Sequence, residues 1–547
     1  MGQGSPHVEA RAQGSDAWRQ LALFAVFAAI VFLVTFAFFT RVCPLVPSDA
    51  DDWELMAKVR TGLPEWGGFN PAKVLPETSL HFVSYLAAFC VMPFVGDYVW
   101  SLVVAAAILL SAFVTGYVVA FAKLLKARLG LENGATVLVS TVFYLAHFVL
   151  LSHANGGTIP YLLGTRDYTG VFHYTIPYVL CATMVLVLMR RGGGMAPRAE
   201  YRESTFGLSM LVLGLYLGMC SNLFLNIVLA AFAGASLVAS LAQIGVAKRV
   251  RWTVGSFIRQ NALHFLVLGL WVVTLLFERS GARASGTLSG QGGPSFHIGV
   301  VLSDLAATLA YLNRSLLVLF AAVAAVALVL VLRSPRGAHA GADDGVAGSA
   351  ARVTFVLLFA WLLTTAFVVL LSSVMDPFTQ WIPPVHYYAS RPDVVVTSLF
   401  PWITLGCLAF AFVMKHVRLV SLVAPILVFV MVVSAVNGVG SYEQPVRGGI
   451  SSGQTLASAR DMVAQVQAAD AAGQTSVDVH VLAFHNDVAY NWPLSPSLAD
   501  GFSRSLYAAG ITSKKMSVNI VPDTAVNARL GLPDDIGGSA ATQTGTS

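Results

Sequence analysis

Residues 79–93 read S-L-H-F-V-S-Y-L-A-A-F-C-V-M-P, an apolar stretch that stops short of the roughly 20 residues a membrane-crossing helix needs. Whether it crosses decides the fold, because one extra crossing would reverse the side of every later loop. The test is the distribution of Lys and Arg, which gather in cytoplasmic loops. With the N-terminus inside and 79–93 not crossing, Lys123, Lys126 and Arg128, then Arg190 and Arg191, then Lys248, Arg249 and Arg251, and finally Lys415 and Arg418 all fall inside. Counting the stretch as a crossing would put the Lys123–Arg128 cluster outside. It therefore reads as a juxtamembrane or re-entrant helix within the first outer loop.

The rest of the chain agrees with a membrane protein. Its 547 residues are 56% hydrophobic and only 11% charged, with a mean hydropathy of +0.71, a balance that excludes a soluble domain. The net charge of +5 is then a matter of orientation, and no nucleic-acid partner is expected. Leu21–Phe39 is long for a signal-peptide core and Arg41-Val42-Cys43-Pro44 is a poor cleavage site, so the first apolar run stays as a helix.

Further runs at 98–122, 134–152, 172–190, 205–223, 224–245, 261–278, 315–333, 353–373, 396–414 and 417–437 bring the total to about eleven spans. The expected organisation is a cytoplasmic N-terminus (1–18), a membrane domain (19–437) whose first outer loop is 41–97, an outer domain (438–530) and a disordered tail (531–547). In the outer domain Leu456–Ala471 and Leu498–Ala509 have helical period, while Val477–Leu482 and Met516–Val521 read as strands. The fold class is thus all-α and polytopic, with a small outer α/β C-terminal domain that is small enough to need support from the membrane surface.

Chemistry concentrates just before the deciding stretch. Residues 48–77 read S-D-A-D-D-W-E-L-M-A-K-V-R-T-G-L-P-E-W-G-G-F-N-P-A-K-V-L-P-E, with Asp49, Asp51, Asp52 and Glu54 close together and Lys58, Arg60 and Lys73 following. Carboxylates beside cations and aromatics at a membrane mouth suit acid/base work on a polar headgroup. Capping accounts for some of them: Ser48 with Asp51, or Asp51 with Glu54, has capping-box spacing for a helix running to Arg60 with Trp53, Met56 and Val59 inward. A cap explains one or two carboxylates, not four.

Two later outer loops each pair an Arg with aromatics and a His: Arg166 with Tyr168, His173 and Tyr174, and Arg391 with His386, Tyr387 and Tyr388. Arg binds phosphate through two parallel hydrogen bonds; an interfacial aromatic belt with snorkelling cations is the plainer alternative. His81 reads as structural, no His pair has metal-binding spacing, and the five cysteines neither pair nor cluster, so no structural disulfide is expected. The Gly run at 192–194 lacks the following Lys-Ser/Thr of a phosphate loop.

One span, a long outer loop with Asp51-Asp52-Trp53 followed by Arg60 and Gly62, many further spans and an outer C-terminal domain resemble the GT-C superfamily of membrane glycosyltransferases. The resemblance implies a sugar donor on polyprenyl phosphate and a glycan or glycolipid acceptor. It also implies a multi-pass place in a bacterial-type cytoplasmic membrane, with the C-terminal domain outside. By the same likeness Asp51 or Asp52 is the base, with Asp49, Arg60, Lys73, Arg166, His173, His386 and Arg391 binding substrate or phosphate. Clustered acids would permit a divalent cation, and nothing demands one. A transporter or flippase of lipid-linked saccharides is the alternative; it needs ionisable groups at mid-membrane depth, which the spans nearly lack. A non-catalytic scaffold leaves the acidic loop unexplained.

Overall fold

The computed structural model of the chain describes residues 6–47, 50–57, 74–151, 168–192, 204–246, 253–280, 298–310, 312–333, 343–375, 392–437, 450–484, 499–534 and 536. In chain order the first half forms α1 (Pro6–Ala37), α2 (Ala50–Ala57), α3 (Val74–Val95, with a π turn at Leu86–Val91), α4 (Tyr98–Leu129), α5 (Asn133–Phe148), α6 (Tyr168–Arg191), α7 (Thr205–Met219) and α8 (Leu223–Val246). The second half continues with α9 (Val254–Gln260), α10 (Ala262–Ser280), α11 (Ile298–Ala310), α12 (Arg314–Arg333), α13 (Asp343–Met375), α14 (Pro392–His416) and α15 (Arg418–Asn437). A C-terminal unit follows: α16 (Ser452–Ala471), β1 (Ser476–Leu482), α17 (Ala499–Ala508), β2 (Ser517–Asp523) and α18 (Thr524–Arg529).

Among the described residues ten helices are long and apolar enough to cross a membrane. Nine match expected spans. The expected spans at 134–152 and 205–223 are shorter helices, α5 with 16 residues and α7 with 15. Local hydrogen bonding ends each of them. After α5 the Val149 and Leu150 amides both turn back to the Leu145 carbonyl. After α7 the Ser221 hydroxyl and the Asn226 amide satisfy the Gly218 and Met219 carbonyls, which are groups a helix end leaves open.

The tenth is α3, and here the expectation of a short piece is corrected. Val74, Leu75 and Pro76 belong to its first turn, where a proline costs no hydrogen bond, so the helix runs 22 residues, about 33 Å at the usual rise. Its attachments show how it lies. At its start the Leu75 amide donates to Cys220 O at the α7–α8 turn, halfway along Ser84 meets the Tyr98 hydroxyl at the start of α4, and only Gly96 and Asp97 separate its last residue from α4. Both places are at one end of the bundle: the Tyr168 hydroxyl at the start of α6 reaches Leu102 O on α4, and Asn222 of the α7–α8 turn reaches His173 O on α6. Thus α3 lies across that end with Phe82, Phe89 and Phe94 exposed along it.

The opposite end of the bundle is basic. Lys126 donates to Asn133 and stands 4.7 Å over the Phe24 ring, Lys415 donates to Leu129 O, and Arg352 donates to Ser240. Between the ends α6, α8 and α14 are mostly buried, whereas α10, α12 and α15 turn most of their apolar surface outward. Close helix approach uses small residues: a Cβ on Gly214 or Gly218 of α7 would meet Met184 or Cys181 of α6.

In the C-terminal unit, a capping box between Ser451 and Gln454 starts α16. β1 and β2 pair in parallel from Ser476↔Ser517 to Leu482↔Asp523, the crossover containing α17. Val479, Phe502, Leu506 and Ile520 form its core, which is continuous with the core of the helical bundle. The unit extends past the expected boundary at 530. Ile536 is fully buried with Ile450, Leu482 and Val526, and buried Asn527 hydrogen-bonds Ala483 N, Ala483 O and Pro533 O. A disordered tail therefore cannot begin at 531; residues 537–547 lie outside the described residues.

Candidate functional site

The site is built on α2, eight residues that place Asp51 and Asp52 in a first helical turn, where the helix dipole favours negative charge. Because α2 has begun by Ala50, Asp51 is a helical residue and not the cap that its spacing to Glu54 allowed; Ser48 and Asp49 lie outside the described residues. Trp53 and Met56 face inward as expected, and Val59 is likewise outside the description.

The helix sends successive side chains to different neighbours. Asp51 is exposed, whereas Asp52 is wholly buried and its Oδ1 accepts the Thr169 amide at 2.7 Å. That charge-assisted bond ties the first outer segment to the start of α6. Trp53 is wholly buried and meets Phe502 of α17 edge-on, centroids 4.8 Å apart. Glu54 receives Arg504 Nη2 at 3.0–3.1 Å on its two oxygens. Arg504 also pairs with Asp500, and Asp500 with Lys515. The Lys515 hydrogen bond holds the Asp500 carboxyl below the usual carboxylate range.

Met56 closes the arrangement from the other side. Its carbonyl accepts Nδ1–H of His81 on α3 at 2.9 Å, and the His81 ring stands edge-on to Tyr85 at 4.4 Å. Glu77, one turn earlier on α3, is buried as well. His173 donates Nδ1–H to Thr169 O at 2.9 Å, so one of its nitrogens is committed to its own helix. The result is a junction of α2, α3 and the first turns of α6, covered by α17, with the Asp97 carboxylate at the head of α4 held by Arg460 of α16.

Of the residues singled out in the sequence, Asp51, Asp52 and His173 are brought to this one end. Asp49, Arg60, Lys73, Arg166, His386 and Arg391 lie outside the described residues. Among the described residues no group of three or more His, Cys, Asp or Glu could hold a metal ion. Several residues escaped the sequence reading. Glu77 and His81 stand four apart on one helix, a spacing visible in the sequence, though His81 reads there as structural. Asn222, Gly501, Phe502 and Arg504 had no local signal, because their partners are distant in the chain. No family model, curated protein or solved structure matches the chain.

Proposed function

We propose that the chain is a membrane glycosyltransferase of the GT-C kind, passing a sugar from a polyprenyl-phosphate donor to an extracytoplasmic glycan or glycolipid acceptor with inversion. One observation carries the reading. Two adjacent carboxylates sit on one short helix at a bundle end, and the fold treats them oppositely, pinning Asp52 in the interior and presenting Asp51 at the surface. The basic end of the bundle, with Lys126, Arg352 and Lys415, is the cytoplasmic one by the positive-inside rule, which puts α2 and the C-terminal unit outside. In that orientation α3 is an interfacial helix, its phenylalanines in the outer leaflet, and not a crossing.

In this mechanism Asp51 takes the proton of an acceptor hydroxyl as its oxygen attacks the anomeric carbon. The bond from that carbon to the phosphate oxygen breaks, and polyprenyl phosphate leaves as an anion. Such a leaving group needs cations more than a proton, a role for Arg60, Lys73, Arg166 and Arg391. Asp52 anchors the helix to α6 and thereby sets where Asp51 stands.

The test is transfer from a polyprenyl-phosphate sugar by purified protein. Asp51→Asn should leave the chain folded and lower transfer by at least about a hundredfold, the usual contribution of general base catalysis. Asp52→Asn is its companion, expected to lower thermal stability along with transfer. Near-normal transfer by both variants and by the double variant would end the proposal.

A further inference from the structure

His81 is 6% exposed, and its Nε2 has no hydrogen-bond partner. Donation from Nδ1 to the Met56 carbonyl fixes the tautomer, so Nε2 carries a lone pair and serves only as an acceptor. Three further polar atoms of the same junction are buried without partners, Oγ1 of Thr78 on α3, Oγ1 of Thr169 on α6 and the donor Nε1 of Trp53 on α2. An orphaned buried polar atom is costly to keep, and such atoms are rare in folded proteins. Here four of them stand on or around the helix that carries the acids.

Their placement is shared. Thr169 gives its amide to Asp52, and His81 gives its Nδ1–H to Met56. Positions 52 and 56 are one turn apart on one face of α2, about 6 Å along the axis, and α3 also packs directly on the first turns of α6. A ligand reaching both His81 and Thr169 would lie beside Asp52.

The atom types select the ligand. Nε2 needs a donor, which an ionised phosphate lacks. The threonine oxygens both give and accept. A metal ion would need several His, Cys, Asp or Glu ligands together, and among the described residues no group of three is present. A neutral hydroxyl donates to Nε2 and accepts from threonine. We infer that the unpartnered Nε2 of His81, with Oγ1 of Thr169, is the subsite for hydroxyl groups of the transferred sugar, separate from whatever holds the phosphate. Naming the sugar as the transferred one rests on the glycosyltransferase reading; the hydroxyl-binding site does not.

Two substitutions separate ligand binding from structure. His81→Asn keeps a donor for Met56 O and loses the acceptor, while His81→Gln places an amide oxygen near where Nε2 stood and gives up the Met56 bond. The full chain in lipid nanodiscs is titrated calorimetrically with farnesyl phosphate, with farnesyl phosphate esters of arabinose, mannose and glucose, and with the corresponding methyl glycosides. His81→Asn should bind the preferred sugar-bearing probe about three- to tenfold more weakly, the worth of one hydrogen bond, with farnesyl phosphate unchanged and His81→Gln close to wild type. The inference fails if His81→Asn matches wild type on every sugar-bearing probe, if it loses farnesyl phosphate equally, or if wild type binds no sugar-bearing probe. Binding that depends on His81 without any transfer would leave the subsite standing and remove the transferase reading.

Discussion

Replacing Gly501 with valine tests whether the C-terminal unit holds the acidic helix. Gly501 lies in α17 where that helix crosses α2, and a Cβ there would strike the Glu54 carboxylate and come within 2.8 Å of the Glu54 Cα. A side-chain end can swing aside, but a backbone atom of α2 moves only if the two helices part. Overpacking of this kind costs about 1–3 kcal/mol, and the direct backbone contact places Gly501→Val near the top of that range. Better helix propensity than glycine returns about 0.5 kcal/mol. The Glu54–Arg504 pair is 39% exposed on the Arg side, so its loss adds at most about 1 kcal/mol. The sum, about 2–3 kcal/mol, shifts the docking equilibrium by about thirtyfold or more.

The assay is limited proteolysis of the full chain in nanodiscs, followed as release of the C-terminal unit, with thermal unfolding alongside. Gly453→Ala is the control: its added Cβ meets nothing nearer than the Ser451 hydroxyl at 3.9 Å, so it should stabilise α16 by up to about 1 kcal/mol. Wild-type protease resistance in Gly501→Val, or the same behaviour from both variants, would refute the close docking of α17 on α2.

Orientation is open to a direct measurement: alkaline phosphatase fused near Gly440 should be active and near Gly341 inactive, and the reverse pattern would place the acidic helix on the cytoplasmic side. Acid should weaken the C-terminal unit in a defined direction. Asp470 is held below the usual carboxylate range by the Ser513 amide and hydroxyl, and Asp500 by Lys515. Each group with a depressed folded pKa contributes stability that is present above its unfolded value, about pH 4, and is lost as the pH falls through the folded value. Asp500→Asn should flatten that loss in an acid titration of unfolding; an unchanged acid limb would show that the ion pairs add nothing.

The sequence by itself determined that this is a polytopic helical protein with a small α/β unit at its C-terminal end. Both are local properties. Apolar runs state their own length, and the unit's strands and helices lie within a few residues of their expected positions. Val477, Val479 and Val481 alternate, and capping residues mark the helix ends. Inside the membrane that locality fails, since lipid and protein core are equally apolar. Leu419 and Ile426 are more than 60% exposed and Val99 is buried, yet hydropathy treats all three alike. Hydropathy likewise counts Val74–Val95 as long enough to cross; the Lys and Arg distribution argues against a crossing, but its full length and its attachments near Cys220 and Tyr98 came only with the fold.

The opposite fates of Asp51 and Asp52 belong to the tertiary structure as well. They are neighbours of one type, and what separates them is an amide 117 residues away in the chain. Glu54 and Arg504 are further apart still, and the room between their helices depends on one missing methyl group at Gly501. A contact of that kind leaves no periodicity in either segment, so it became visible only when the folded backbone brought the two together.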